Sequence, residues 1–167
     1  MPDNSEIARV LAGLGAATLG ESGGRPMRAR IKAAWTGAAV AAPAFPVQCT
    51  PADNLAVHVG VTRAARGAVL VVNVGDVREL GYWGEVLTTA AEARGLAGLV
   101  IDGCVRDVTA LAAHGFPVFS PDSLTLHVMN ESSNDMVSFD MRTLKPIGGR
   151  VPIGGASFGG GIRVLRK

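Results

Sequence analysis

Aromatic residues and cysteines are both scarce in this sequence, and each scarcity narrows the class of protein. Aromatic side chains make up 5% of the 167 residues although 48% are hydrophobic, so Ala, Val and Leu must build most of the core. The two cysteines, Cys49 and Cys104, form neither a CxxC motif nor a disulfide framework. We expect both cysteines to be small buried residues, and the length suits a single domain over residues 1–167.

An excess of charge of one sign is also lacking, as are long apolar runs. Sixteen Lys and Arg against 14 Asp and Glu give a net charge of +2, which is too small to indicate a nucleic-acid partner. No apolar run approaches the roughly 18 residues of a transmembrane helix, and the first residues lack a signal-peptide pattern. We therefore expect a cytoplasmic protein that binds neither nucleic acid nor a membrane.

The middle of the chain alternates short apolar runs with segments of helical spacing. Continuous apolar runs predict buried strands, and apolar residues three or four apart that end at a glycine predict helices. The predicted strands are residues 69–72, 99–102 and 116–120. The predicted helices are residues 84–94, with an apolar face of Val86, Leu87, Ala90 and Ala91, and residues 108–114. This alternation indicates parallel strands joined by helical crossovers, the α/β class.

The two ends of the chain have less regular patterns. The predicted helices there are residues 5–14 and one that begins at residue 51 with Asp53 as its N-cap. The predicted strands there are residues 38–42, 47–50 and 136–139. Prolines separate the first two of these strands, and the glycine-rich residues 147–167 predict either edge strands or loosely ordered chain.

The most informative stretch is Gly103, Cys104, Val105, Arg106 and Asp107, which follows a predicted buried strand. Open α/β sheets bind ligands at the carboxyl ends of their strands. Arg offers a planar fork for a carboxylate, and Asp offers a hard oxygen for a divalent cation. The turn therefore predicts a site for a small metal-chelating carboxylic acid. The alternatives are a surface charge pair, or Asp107 as the N-cap of the helix that follows.

A second candidate lies at Gly84 and Glu85, where the preceding crossover helix begins. Unpaired N–H groups at a helix N-terminus bind anions, and Gly84 would let a ligand approach the backbone. The alternative is an ordinary acidic first turn, which the helix dipole favours. Parallel units place this helix start and the Arg106–Asp107 turn at one sheet edge. Together they predict a 2-oxo acid held by helix amides and Arg106, with a metal held through Asp107.

The remaining motifs give weaker signals. His58 lies on an apolar face of a predicted helix and is interpreted as structural, whereas His114 and His127 lack the spacing of zinc ligands. The glycine-rich residues 154–161 lack the Lys-Ser/Thr ending of a phosphate loop and are interpreted as a turn.

At these motifs the chain resembles the class II 4-hydroxy-4-methyl-2-oxoglutarate aldolases and their RraA-like relatives, which include the regulator of ribonuclease E activity. The matching stretches are residues 37–45, Asp53-Asn54-Leu55-Ala56, Gly84-Glu85-Val86-Leu87 and residues 98–107. The resemblance covers about residues 6–120, and Gly-Cys-Val-Arg-Asp is its most specific part.

The resemblance implies a swivelling β/β/α domain that forms a homotrimer or hexamer. The residues whose backbone amides would contact the substrate are Gly84, Glu85, Val86 and Leu87. It further implies that Arg106 binds a small 2-oxo acid, that Asp107 holds Mg²⁺ or Mn²⁺, and that Glu85 lies near the catalytic water. The implied reaction is retro-aldol cleavage to pyruvate, often with oxaloacetate decarboxylation.

The chain departs from the family pattern in its tail, residues 121–167. The Pro-Gly-Asp hairpin of the family is missing from this sequence, and a Gly-Gly strand is matched only by Pro146-Ile147-Gly148-Gly149 or Pro152-Ile153-Gly154-Gly155. There are two alternatives to a lyase that cleaves 2-oxo acids. One is an RraA-like protein that binds and regulates ribonuclease E, and the other is an inactive relative.

Overall fold

The computed structural model describes residues 4–78, 80–121, 125–130, 135–140 and 146–152. The helices in these ranges are α1 (Asn4–Ala12), α2 (Ala16–Glu21), α3 (Leu55–Arg63), α4 (Glu85–Ala93) and α5 (Val108–His114). The strands are β1 (Ile31–Ala33), β2 (Ala44–Gln48), β3 (Val69–Asn73), β4 (Gly81–Trp83), β5 (Gly98–Ile101), β6 (Cys104–Val105), β7 (Val118–Pro121), β8 (Thr125–Asn130), β9 (Asp135–Asp140) and β10 (Pro146–Pro152).

The main sheet confirms the predicted α/β class. Among the described residues it contains five strands in the order β2-β3-β5-β7-β1. The first four are parallel, and β1 runs antiparallel to β7. The crossovers α3, α4 and α5 all step in the same direction along the sheet. Because such crossovers are right-handed, the three helices lie on one face and begin at the same sheet edge.

A small parallel pair, β4 with β6, lies at that edge. Strand β4 leads directly into α4, and β6 is separated from α5 by Arg106 and Asp107. The backbone N–H of Arg106 extends the pairing by donating to the carbonyl of Trp83 at 2.9 Å. The pair therefore fixes the starts of two neighbouring helices against each other.

The strand predicted near residues 136–139 is confirmed as β9. Within the described tail, β9 lies between β8 and β10 in an antiparallel sheet of three strands. The glycine-rich residues 154–161 lie outside the described residues.

The core consists mainly of Val, Leu, Ile and Ala from the sheet and its crossover helices. Cys49 and Cys104 are both buried, as predicted, and do not form a disulfide. No helix in the described part of the chain combines the length and the apolar character needed to cross a membrane.

The buried face of α4 differs from the predicted one. Leu87, Thr88 and Ala91 face the core, whereas Val86 is 78% exposed and Ala90 is also exposed. The prediction was correct for Leu87 and Ala91 and wrong for Val86 and Ala90, because it treated threonine as polar and so left Thr88 out of the buried face. The Thr88 hydroxyl accepts the indole N–H of buried Trp83 at 2.7 Å, so this polar group is satisfied inside the core.

Two of the predicted elements near the N-terminus were also displaced. Residues 38–42 form no strand; strand β2 instead spans Ala44–Gln48 and includes Pro46, which a strand at the sheet edge tolerates because it needs no N–H there. Helix α3 begins at Leu55 with Asn54 in the N-cap position, yet the Asp53 carboxylate accepts the Leu55 N–H at 2.8 Å.

Replacing Thr88 by valine tests the buried polar contact. The change keeps the side-chain shape but leaves the Trp83 indole N–H without its acceptor, so we expect a loss of about 1–3 kcal/mol in the free energy of unfolding. Chemical denaturation measures it. The matched control is Thr89→Val at the next, exposed position, which should change stability by less than about 0.5 kcal/mol. Equal effects of the two substitutions would contradict the assignment.

Candidate active site

The two halves of the predicted site meet in the structure. The Asp107 carboxylate crosses from the start of α5 to the start of α4, where its Oδ2 accepts the backbone N–H of Glu85 at 3.1 Å. The Arg106 Nε lies 3.8 Å from the same oxygen. Gly84, Glu85, Arg106 and Asp107 therefore form one cluster at the carboxyl edge of the parallel strands.

Gly84 allows this close approach. A Cβ atom at Gly84 would lie 2.4 Å from the Asp107 Oδ2 and 2.9 Å from the Arg106 Cγ. The space beside the glycine, which the sequence analysis assigned to a ligand, is thus filled by the two side chains of the neighbouring turn. Both halves of the site depend on this position having no side chain.

Asp107 has a left-handed backbone conformation, with φ 60° and ψ 33°, which Asp tolerates better than most residues. Asp107 therefore occupies the N-cap position of α5, as the alternative predicted, but its side chain does not cap that helix. The Asp107 carbonyl accepts the Leu111 N–H at 2.9 Å and so begins α5. Its carboxylate caps α4 instead, because side-chain capping of its own helix needs an extended backbone.

The other predicted contact residues differ in accessibility. The side chains of Arg106, Glu85 and Asp107 are 65%, 56% and 44% exposed, so all three are open to a ligand from solvent. Leu87 is buried in the core, which leaves only its backbone for a role at the site. Val86 is exposed on the first turn of α4.

A second charged group, which the sequence analysis missed, lies at the same sheet edge. Asp102 follows β5 and accepts hydrogen bonds from Arg30, with Nε to Oδ1 at 2.7 Å and Nη2 to Oδ2. The Arg78 Nε lies 3.4 Å from Oδ2. The hydrogen bond from Arg30 holds the pKa of Asp102 below its usual value, against the opposing effect of partial burial. Asp102 thus forms ion pairs with two arginines, of which Arg30 is 72 positions away along the chain.

His114 is a further residue whose surroundings the sequence did not predict. Its Nδ1 lies 2.8 Å from the Glu92 Oε2, and its Nε2 lies 3.6 Å from the Glu85 Oε1. The hydrogen bond with Glu92 raises the pKa of His114, and Glu85 adds a smaller effect in the same direction. His114 is the last residue of α5, and its ring therefore contacts acidic side chains near both ends of α4.

The donors at this edge fit a water-rich magnesium site. In the part of the chain that the structure describes, no cluster of three or more His, Cys, Asp or Glu side chains is arranged to hold a metal. Mg²⁺ commonly binds through one or two carboxylates and keeps several waters. A carboxylate has about four lone-pair sites, so Asp107 can accept the Glu85 N–H and still bind a cation. These donors fit such a site and do not fit an all-protein cage.

Replacing Gly84 by alanine tests the close approach. The added methyl group must push the Asp107 carboxylate off the Glu85 N–H, so we expect a loss of about 1–2 kcal/mol in the free energy of unfolding. The cost should be smaller in an Asp107→Ala background, where the closest clash is absent. The control is Gly15→Ala, where a Cβ meets no atom within 4 Å and φ is −68°. Equal losses at both glycines would contradict the geometry.

Comparison with known proteins agrees with the resemblance found in the sequence. The profile of the RraA-like family described as Aldolase/RraA matches residues 10–161, beyond the end of the recognised motifs. One relative, from Halalkalibacterium halodurans, is 36% identical over 80 residues, which are 48% of this chain and 38% of the relative. Another, from Albidiferax ferrireducens, is 41% identical over 92 residues, 50% of this chain and 53% of the relative. Both are named "Putative 4-hydroxy-4-methyl-2-oxoglutarate aldolase". The chain thus spans about half or less of these relatives.

Solved structures show the same fold. The chain resembles RraAS2 of Streptomyces coelicolor, described as an unusual member of the RNase ES inhibitor RraA family, with a TM-score of 0.60 and 22% identity over 98% of this chain and 85% of that one. A protein from Pseudomonas syringae gives a TM-score of 0.61 at 21% identity, covering 92% and 78%. Because the profile matches well over half of the sequence, this chain belongs to the Aldolase/RraA family.

Proposed function

We propose that this protein is a divalent-metal-dependent lyase that cleaves or decarboxylates 2-oxo acids to pyruvate. The observation that carries the proposal is the cluster of Arg106, Asp107 and the start of α4, in which Asp107 Oδ2 accepts the Glu85 N–H. The names of the curated relatives support the reaction class. The same names suggest 4-hydroxy-4-methyl-2-oxoglutarate as a substrate. We add oxaloacetate as a simpler 2-oxo acid that the same chemistry would decarboxylate.

Binding of the substrate carboxylate is assigned to Arg106 and to the first turn of α4. The Arg106 guanidinium is largely exposed and can present two parallel N–H groups to a carboxylate. The N–H groups of Val86 and Leu87 belong to the first turn, where helical hydrogen bonding leaves donors unused. The Glu85 N–H is already engaged with Asp107, so Arg106 is the principal anion-binding group.

The proposed cation site is the carboxylate of Asp107. A divalent cation bound there would act as a Lewis acid toward the keto oxygen of the substrate. The positive charge of Arg106, whose Nε lies 3.8 Å from Asp107, adds to the potential that favours negative charge on the bound 2-oxo acid. The role assigned to Glu85, in the adjoining helical turn, is to exchange a proton with a water at the site.

The reaction breaks the C–C bond between the α-carbon and the β-carbon, one bond away from the ketone carbon. In 4-hydroxy-4-methyl-2-oxoglutarate the 4-hydroxyl loses a proton, the C3–C4 bond breaks, and its electron pair moves toward the keto group. Protonation of C3 then gives a second pyruvate. In oxaloacetate the same electron movement releases carbon dioxide. Both reactions require stabilisation of negative charge on one oxygen, which is the task assigned to this cluster.

The test is release of pyruvate from both substrates with Mg²⁺ and with a chelator, measured above the rate of buffer plus metal. We expect metal-dependent turnover, and Arg106→Ala should lower kcat/KM by on the order of 10²–10³. Asp107→Asn should lose most of the metal-dependent rate, because the amide is a poorer ligand than the carboxylate for a hard cation.

Two exposed residues outside the cluster provide matched controls. Arg9→Ala in α1 and Asp76→Asn, whose side chain is fully exposed, should leave turnover unchanged. Full activity of both site variants would refute the site, and folded protein without metal-dependent turnover would refute the lyase. In the second case, binding to purified ribonuclease E discriminates the regulatory alternative from an inactive relative, and a solution mass measurement tests the expected trimer.

A further inference from the structure

His114 bridges two acidic side chains that lie seven positions apart on α4. One ring nitrogen lies 2.8 Å from the Glu92 carboxylate and the other lies 3.6 Å from the Glu85 carboxylate. Seven residues are about two helical turns, so Glu85 and Glu92 share the face of α4 that is directed toward α5. The imidazole lies between them and is 26% exposed.

We propose that His114 is a positioning residue for Glu85, holding the Glu85 carboxylate on the α5 side of α4 so that it is oriented for proton transfer. The inference rests on the proposed lyase function. Glu85 is half exposed and would otherwise sample several rotamers. A fixed partner on the neighbouring helix lowers the entropy lost when the carboxylate adopts one working position.

The arrangement attracts both carboxylates when the ring is protonated. A neutral imidazole has one N–H group and can donate to one carboxylate, whereas the charged ring donates from both nitrogens. Within the described residues, the charged groups at ion-pair distance from His114 are Glu85 and Glu92, both on α4. The hydrogen bond with Glu92 raises the pKa of His114, which extends the charged form of the ring to higher pH.

The pH dependence follows from the direction of this shift. Because the folded pKa is raised above the unfolded value of about 6.5, the stabilising contacts are fully present below about pH 6.5. They are lost as the pH rises through the folded pKa of His114. We therefore expect the orientation of Glu85, and with it kcat, to decline on the alkaline side.

The first test is an NMR titration of the three histidines, with His114 assigned from the spectrum of His114→Gln. The ring of His114 should titrate at a higher pH in the wild-type protein than in Glu85→Gln or Glu92→Gln, because each substitution removes one anionic partner. A His114 titration that is unchanged by Glu85→Gln would overturn the inference, since the two groups would then not be coupled.

The second test is the pH profile of turnover. His114→Gln should lower kcat roughly tenfold with KM unchanged, as for other groups that orient a catalytic side chain. His114→Arg keeps a positive charge at every pH, so it should retain activity and lose the alkaline decline. The control is His58→Gln on the exposed side of α3, which should behave as wild type.

The outcomes separate the two proposals. Turnover by the wild-type protein together with equal kcat for His114→Gln and His58→Gln would overturn the role of His114 and leave the lyase standing. A complete lack of turnover by the wild-type protein would overturn the lyase, and the role of His114 with it.

Discussion

The site depends on one hydrogen bond, from the Glu85 backbone N–H to the Asp107 carboxylate. This contact connects the beginnings of two crossover helices that are 22 positions apart in sequence. It forms because Gly84 has no side chain, because β4 pairs with β6, and because Asp107 adopts a left-handed backbone. Without it, the relation of the Arg106–Asp107 turn to the start of α4 would rest on the pairing of β4 with β6 alone.

The same hydrogen bond determines which site residue binds the anion and which binds the cation. An N–H group that donates to Asp107 is not free to bind a substrate carboxylate, so Arg106 becomes the main anion-binding group. Asp107 in turn has its position set by the α4 backbone, while it keeps lone pairs for a cation. The carboxylate is held by this N–H and by the neighbouring Arg106 Nε at 3.8 Å, and water and substrate would complete the site.

Local patterns in the sequence predicted much of the fold. The helix at residues 108–114 was predicted with its exact bounds because Gly115, with φ 69°, ends it. Strand β3 followed from a continuous apolar run, and the pairing of Gly84 with the Arg106–Asp107 turn followed from parallel topology. These features are determined by residues close together in the chain, or by the one rule that parallel strands end at the same edge.

The features that the sequence could not predict are polar contacts between different helices, strands and loops. Arg30 reaches Asp102 across 72 positions, and His114 reaches Glu92 across 22. Thr88 is buried, and its hydroxyl accepts the indole N–H of Trp83 in β4. In each case the decisive partner comes from another element, so neither spacing nor hydropathy carries a signal for it.

The central claim is that the start of α4, Arg106 and Asp107 form one site for a cation and a 2-oxo acid. The most direct measurement is a crystal structure of the protein with Mg²⁺ and oxalate, a rigid mimic of the pyruvate enolate. The account predicts a cation on the Asp107 carboxylate and oxalate between that cation and the Arg106 guanidinium. Oxalate and Mg²⁺ bound together elsewhere, with Arg106 and Asp107 contacting neither, would contradict it.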